Sequence, residues 1–507
     1  MLQTINRIFI GLVLLAALCG ILLSILTIFL PFLAENDIKL EIGDMEQNSG
    51  LTLSAVVPSS IVPDDSPYGL STTIATPPLT TPDTLSLYIY ADGKRVGVVD
   101  CLEDFELFED YASQTEFPCT ALVPYNYLRS QDYKIFAVLI TEDKEYASQP
   151  IELSADWSTY EENFWSASSI ITLLLLISAA ILLPITLLMF YIASHTSHTT
   201  LFKGEYTLAS LISPLSNGKT ILQKFHSFIL SPYFWLLETV GIFIMLFYMA
   251  ISAEVWKSET ALVAFVLSGL MAFVIPYVWC VIWWYMEFRE REPLRLVVTL
   301  FLWGCLAALM AIGFNTIAGA ILGFAGLAFI STFMLTPPVE EFYKGAGLCL
   351  VSEHHEYDSI EDGILFGFVI GMGFSFIENW VYLLSNPMGS NILGWFVVFF
   401  LRAILFSANH GFYTALTGAI IGWLIERRFQ APGLGLFVGV PIAAFFHAMH
   451  NSGEMLIALL GIGGVLLYCC FLIPLFDYGG IIGLFILFAY VLFRRRKKAG
   501  RRQKKAS

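Results

Sequence analysis

The run DGILFGFVIGMGFSFIENWVYL, residues 362–383, decides how the rest of the chain is read. It is apolar and long enough to cross a bilayer, which takes about 20 residues, yet it carries Glu378 within it. A carboxylate at that depth is costly and marks a functional position by default. Gly363, Gly367, Gly371, Phe374, Glu378 and Tyr382 recur every three or four residues, so they share one helical face. Small residues on such a face let a second helix approach closely.

The composition agrees with this reading. The 507 residues are 57% hydrophobic and only 14% charged, with a mean hydropathy of +0.71. That is more apolar surface than a soluble fold can bury, so lipid is the main solvent. Apolar spans are expected at 8–33, 164–193, 227–251, 261–286, 296–314, 317–336, 363–384, 403–425, 432–453 and 456–493, the last holding one crossing or two. The fold class is therefore a polytopic α-helical membrane protein of about 9–11 spans.

Charge divides the chain. Residues 34–163 hold 24 of the 42 acidic residues but 6 of the 27 Lys and Arg, a balance of −18 that leaves +3 for the rest. Alternating runs such as LSLYIYADGKRVGVV, with a hairpin signal at Asp92-Gly93, and DYKIFAVLITEDKEY predict a β-rich, sandwich-like domain inserted after the first span. The Thr/Pro tract from Thr72 to Thr84 reads as a loop. Lys203, Lys219 and Lys224, then Arg289, Arg291 and Arg295, then Arg427 and Arg428, and the tail RRRKKAGRRQKK fall in alternate loops. The positive-inside rule then puts the acidic domain outside and the tail in the cytoplasm, where it can meet anionic headgroups. No basic face exists for nucleic acid. Cys101 and Cys119, the two cysteines of the acidic segment, are a disulfide candidate in an oxidising compartment. No Asn-x-Ser/Thr site occurs, which fits a prokaryotic or unglycosylated membrane protein.

The expected organisation is an anchor at 1–33, the acidic β-rich domain at 34–163, additional membrane helices at 164–295, a core at 296–453, a C-terminal membrane segment at 454–494 and a basic tail at 495–507.

Chemistry concentrates in the core. In LTPPVEEFYK, residues 335–344, Thr336 is placed to cap a helix whose first turn accepts Pro337 and Pro338. Glu340 and Glu341 follow, with Lys344 within reach of either. Adjacent helical positions diverge by about 100°, so one glutamate is expected to face the reaction, with Glu341 slightly favoured. His410 lies on one face with Phe406 and Thr414, and FFHAMHNSG places His447 and Asn451 over adjacent turns while His450 points elsewhere. Glutamates, two imidazoles and an amide can activate water, hold an oxyanion and exclude bulk solvent, as peptide hydrolysis requires. Two versions stay open: a glutamate-activated water, or a Zn²⁺ or other divalent ion held by His410, His447 and Glu378 with another glutamate as base. Asn379 is a supporting candidate beside Glu378. No HExxH or Gly-x-Gly-Asp motif is present, and Phe376 stands where a rhomboid-like serine turn has glycine.

EExxK at 340–344, GFSFIEN at 373–379, the span around His410 and HAMHN at 447–451 resemble, in order and approximate spacing, the PrsW family of membrane peptidases over roughly residues 296–453. The Phe406/His410 and His447/Asn451 pairs also look like motifs of CAAX-processing and bacteriocin-processing membrane endopeptidases. The resemblance implies proteolysis of membrane-anchored protein substrates at the bilayer, in regulated signalling. Carried over by position, Glu340 and Glu341 match the acidic pair, Glu378 the later membrane glutamate, and His410, His447 and Asn451 the His and His/Asn motifs. The N-terminal part goes beyond that family's core. Transport along buried Glu and His groups, and an inactive scaffold, are the rival functions. The charge pattern puts the glutamate pair at the cytoplasmic end of its span, so cleavage is expected towards that side.

Overall fold

The computed structural model describes residues 1–34, 46–47, 50–56, 68–77, 84–91, 94–102, 115–123, 132–141, 145–156, 158–196, 232–252, 259–286, 292–324, 334–386 and 392–506. Among them, eight helical stretches are long and apolar enough to cross a membrane.

The β-rich part lies between the first two helices. Strands β1 (Glu46–Gln47), β4 (Thr84–Ala91), β5 (Lys94–Asp100), β7 (Asp132–Ile140), β8 (Glu145–Ala147) and β9 (Ile151–Ser154) form one sheet. Strands β2 (Thr52–Ala55), β3 (Tyr68–Ala75) and β6 (Glu116–Val123) form another. The alternation read in the sequence is physical here: Phe117, Cys119, Ala121 and Val123 of β6 point inward, and Leu85, Leu87 and Ile89 of β4 join them in one core. Both hairpins form, with Ala91 opposite Lys94 and Ile140 opposite Glu145. The Asp92-Gly93 turn itself lies outside the described residues. The Thr/Pro tract is not all loop, because Thr72 and Thr73 pair with Cys119 and Pro118 inside β3. Cys101 and Cys119 are bonded through sulfur, with Cα atoms 5.4 Å apart, which ties the end of β5 to β6 across the two sheets.

The helices are α1 (Leu2–Ala34), α2 (Ser158–Thr196), α3 (Pro232–Ser252), α4 (Glu259–Met286), α5 (Leu294–Phe324), α6 (Thr336–Val351), α7 (Ile360–Leu384), α8 (Ile392–Val398), α9 (Ser407–Glu426), α10 (Leu436–Asn451), α11 (Gly453–Leu460), α12 (Ile462–Leu467) and α13 (Gly479–Ala506). A π-helical segment, Phe399–Leu405, follows α8, and another, Tyr468–Tyr478, joins α12 to α13. The first helix is more than an anchor. Its Ile10, Val13 and Ala17 enter the main core, Asn6 accepts from the Gly433 amide at 3.0 Å, and Ser24 donates to the Leu309 carbonyl at 3.1 Å.

Two boundaries change the topology expected from the sequence. The spans expected at 296–314 and 317–336 are not separated at Asn315 and Thr316, which lie inside one helix that runs to Phe324, while residues 325–333 of the second span lie outside the described residues. The stretch 456–493 holds the end of a short helix, a break at Gly461 (φ 56°), and one long helical run from Ile462 that continues to Arg494, long and apolar enough for one crossing. Merging the first two spans moves the glutamate pair. It sits at the start of α6, at the far end of α5 from Arg295, rather than at the basic end of the bundle.

The centre of the bundle is α7, packed between α5 and α9. Gly363, Gly367 and Gly371 lie against the backbone of Gly418, Thr414 and His410, while Gly373 on another side faces Phe301. The face with glycine every fourth residue therefore works as read, bringing α9 close enough to set His410 opposite Glu378. A Gly371→Leu substitution is expected to push α9 away, since its Cβ would meet the His410 carbonyl oxygen, at a cost of about 3 kcal/mol. Gly11→Leu, whose Cβ would meet nothing within 4 Å, is expected to leave stability unchanged. Heating the detergent-solubilised variants before gel filtration compares the two.

Candidate active site

The site is built on the far end of the bundle by the first turns of α6 and α9 and the last turns of α7 and α10. Helix α6 starts after Leu335, with Pro337 and Pro338 in its first turn; Thr336 is the first helical residue and makes no side-chain cap. One turn on, Glu340, Glu341 and Lys344 are all buried.

Glu341 has no exposed surface and its oxygens are committed. Lys344 Nζ donates to Oε1, Thr414 Oγ1 donates to Oε2 at 3.3 Å, and His447 Nδ1 lies 3.0 Å from Oε1. Glu340 points differently, as adjacent helical positions must. Its Oε1 accepts from Asn315 Nδ2 at 3.1 Å, while Oε2 has no hydrogen-bond partner among the described residues and lies 3.7 Å from His447 Nε2. Of the pair, Glu340 lines a cavity of about 690 Å³ that also reaches Glu378, Arg402, His450 and Asn451. The carboxylate presented to open space is thus Glu340, where the sequence reading slightly favoured Glu341.

His410 is held at both ring nitrogens, with Nδ1 at 3.2 Å from Lys344 Nζ and Nε2 at 2.6 Å from Glu378 Oε2. Glu378 Oε1 meets Arg402 at 2.7 Å, so this glutamate bridges an imidazole and a guanidinium. Arg402 also stacks over Tyr382, 3.9 Å from its centroid. Lys344 sits 4.1 Å above the centre of the Phe374 ring, a cation–π contact inside the bundle.

The tautomers follow from the partners. An ammonium has only donors, so His410 Nδ1 accepts from Lys344 and Nε2–H faces Glu378. His447 Nδ1–H faces Glu341, and its Nε2 lone pair faces the unpartnered Glu340 Oε2. An acceptor opposite an acceptor at 3.7 Å is a place for a water proton or a cation. One atom each of Glu340, His410 and His447 lies within 4.8 Å of the others. This carboxylate and two imidazoles fit a divalent ion such as zinc, with Glu341 behind His447 as the orienting group. The set contains Glu340 where the sequence reading had Glu378.

Asn451 lines the cavity from the end of α10. Asn379 does not reach it, since its amide donates to Ser375 Oγ one turn back on α7. His450, expected to point elsewhere, also lines the cavity. Sequence reasoning missed Asn315, a polar residue inside an apolar span, and Asp477, the one acid of the stretch 456–493, which lies 2.9 Å from His450 Nδ1. Each is detectable as a polar group where lipid-facing residues should be apolar.

Comparison with known proteins converges on the same region. Residues 292–499 match the model of the PrsW family intramembrane metalloproteases. "Protease PrsW" of Oceanobacillus iheyensis is 27% identical over 162 residues, 32% of this chain and 69% of the relative. The Geobacillus kaustophilus protein of that name is 32% identical over 137 residues, 26% of this chain and 56% of the relative. That of Halalkalibacterium halodurans is 28% identical over 132 residues, 26% of this chain and 57% of the relative. The chain thus spans little more than half the length of the last two. No solved structure matches it. The motifs lie within the region these comparisons match, and the C-terminal part of this chain, residues 292–499, is similar to the PrsW family of intramembrane proteases and follows a β-rich N-terminal part.

Proposed function

We propose that the chain is a membrane peptidase that hydrolyses membrane-anchored protein substrates in the cavity beside Glu340, on the side of the bundle from which the β-rich domain emerges. The observation that carries this reading is the division of labour in the glutamate pair: Glu340 lines the cavity and keeps one oxygen without a hydrogen-bond partner among the described residues, while Glu341 is saturated by Lys344, Thr414 and His447.

Glu340 takes a proton from the water that attacks the scissile carbonyl, and His447 Nε2 fixes where that water sits. Glu341 holds the His447 ring in the tautomer that leaves Nε2 free. Asn451 and Arg402, both on the cavity wall, are placed to donate to the developing oxyanion. A divalent ion, when bound, would be held by Glu340, His410 and His447 and would supply an activated water and a Lewis acid. His410 would join it only after its Nε2 proton had passed to Glu378, which keeps Arg402. Transport through the buried acids is not favoured, since the residues that could form such a path belong to the protease-like unit.

The topology supports a cytoplasmic basic tail and an external acidic domain. If α3 and α6 also cross, the segments carrying Lys203, Arg289, Arg427 and the tail all fall on one side. The glutamate pair and the start of the β-rich domain then share the outer side. On this reading cleavage occurs towards the external face, opposite to the expectation from the sequence, and the helix that continues past Asn315 to Phe324 supports it. The β-rich domain is placed to dock or sense substrates there.

Glu340→Gln is expected to lower cleavage by about 100-fold or more without changing stability. The readout is proteolysis of single-span peptides in liposomes, and full activity in this variant would overturn the proposal. Metal analysis of the same samples, with and without chelator, separates the two forms of water activation: one bound equivalent lost in Glu340→Gln assigns the ion, and metal-free turnover assigns the carboxylate alone.

Lys344→Met is expected to destabilise the protein by about 3–5 kcal/mol, since it leaves the Glu341 charge buried and uncompensated. Lys344→Met with Glu341→Gln is expected to recover part of that loss. Thermal unfolding of both variants in detergent measures the coupling.

A further inference from the structure

A second polar network reaches the same cavity, joining His450 of HAMHN to Asp477, a residue outside the quoted motifs. Asp477 is buried in the π-helical segment between α12 and α13. Its Oδ2 lies 2.9 Å from His450 Nδ1, and its Oδ1 accepts from the Tyr413 hydroxyl at 3.1 Å. The Tyr468 hydroxyl donates to the His450 carbonyl at 2.7 Å, which fixes the end of α10 against the same segment. Asn409 Nδ2 lies 3.3 Å from His450 Nδ1, and the Phe406 ring packs edge-on against the imidazole with centroids 4.9 Å apart. The Asp477 carboxylate and the Phe406 ring hold the imidazole. Its Nε2 takes part in no hydrogen bond among the described residues, while His450 lines the cavity together with Glu340 and Asn451.

An imidazole with Nδ1–H on a buried carboxylate and Nε2 towards a cavity is the arrangement that stabilises an imidazolium and aims its other proton at a substrate. The hydrolysis proposed above needs such a group. Glu340 accounts for the proton leaving water, but the amine that departs must be protonated, and Glu341, His410 and Lys344 are engaged with one another.

We propose that His450 is the general acid that protonates the leaving amine, and that Asp477 positions it. This rests on the peptidase reading. The water oxygen bonds to the carbonyl carbon and its proton passes to Glu340. As the C–N bond breaks, the electron pair on nitrogen takes the Nε2 proton of His450. The proton held by Glu340 returns to His450 through cavity water, so each cycle consumes one water and yields an acid and an amine. Tyr413 couples the two halves of the site, since its hydroxyl holds Asp477 while its ring stacks on His447 with centroids 5.1 Å apart.

The test uses the dependence on the leaving group. The full-length protein in liposomes is given a single-span fluorogenic peptide, the wild-type cleavage site is located by mass spectrometry, and the scissile amide is replaced by an ester in a second peptide. An alkoxide leaves with less help from an acid than an amide nitrogen does. His450→Gln and Asp477→Asn are expected to lower kcat on the amide by about 100-fold and about 10-fold, and to affect the ester several-fold less. Glu340→Gln is expected to lower both alike. Equal losses on amide and ester in His450→Gln, or no loss on either, would overturn the role of His450 while leaving the peptidase reading intact. Absence of wild-type cleavage of any peptide would overturn the peptidase reading and this role together. Melting temperatures of the variants exclude unfolding as the cause of a selective loss.

Discussion

The buried ammonium of Lys344 is the constraint on which the site depends. It lies between Glu341 and His410 and against the face of Phe374, with no surface exposed. A charge so placed is tolerable only when its partners are fixed and its donors used. Its presence determines what both partners can do. Glu341 stays a carboxylate and orients His447, and His410 must accept at Nδ1 and turn its proton to Glu378. The protonation pattern of four catalytic-class side chains therefore descends from one lysine on the first turns of α6.

That arrangement requires helices at unusually short separation. Lys344 comes from α6, Phe374 and Glu378 from α7, His410 from α9 and His447 from α10, so four helices must bring polar atoms to within hydrogen-bond distance at one level. The glycines of α7 make this possible by letting the α9 backbone replace side chains at the contact. Without a hydrophobic driving force between helices in lipid, close packing of this kind and the polar contacts supply the association. The same glycine face thus explains both the cohesion of the bundle and the register of His410 on Glu378.

Much of this was legible in the sequence, and what was not has identifiable causes. Periodicity placed Glu378 and the glycines on one face, because a helix in lipid must satisfy its backbone internally and leaves a clean 3.6-residue pattern. Hydropathy alone could not tell that the helix from Leu294 runs on to Phe324, since Asn315 and Thr316 look like a polar break between spans. Asn315 is instead polar because it donates to Glu340. The error had consequences, since it reversed the end of the bundle assigned to the glutamate pair. His450 was set aside because a straight helix turns it away from His447, and its partner Asp477 lies on a π-helical segment whose wider turn no periodic pattern anticipates. Glu341 was favoured over Glu340 because spacing says that two adjacent residues diverge, without saying which one faces open space.

A hydrolytic site inside an apolar bundle must admit water and polypeptide while keeping its charges paired. The two requirements are met by layering. The cavity side carries Glu340, Asn451, Arg402 and His450, groups that can exchange partners with a substrate. Behind them Glu341, Lys344 and Thr414 form a hydrogen-bonded set that does not line this cavity, and Asp477 with Tyr413 forms another. The outer layer is therefore free to rearrange during a reaction, while the inner layer cannot change without leaving a buried charge alone. His447 and His450 each have a buried carboxylate at Nδ1. The bundle thus repeats one device on two walls, once beside Glu340 and once at the end of α10.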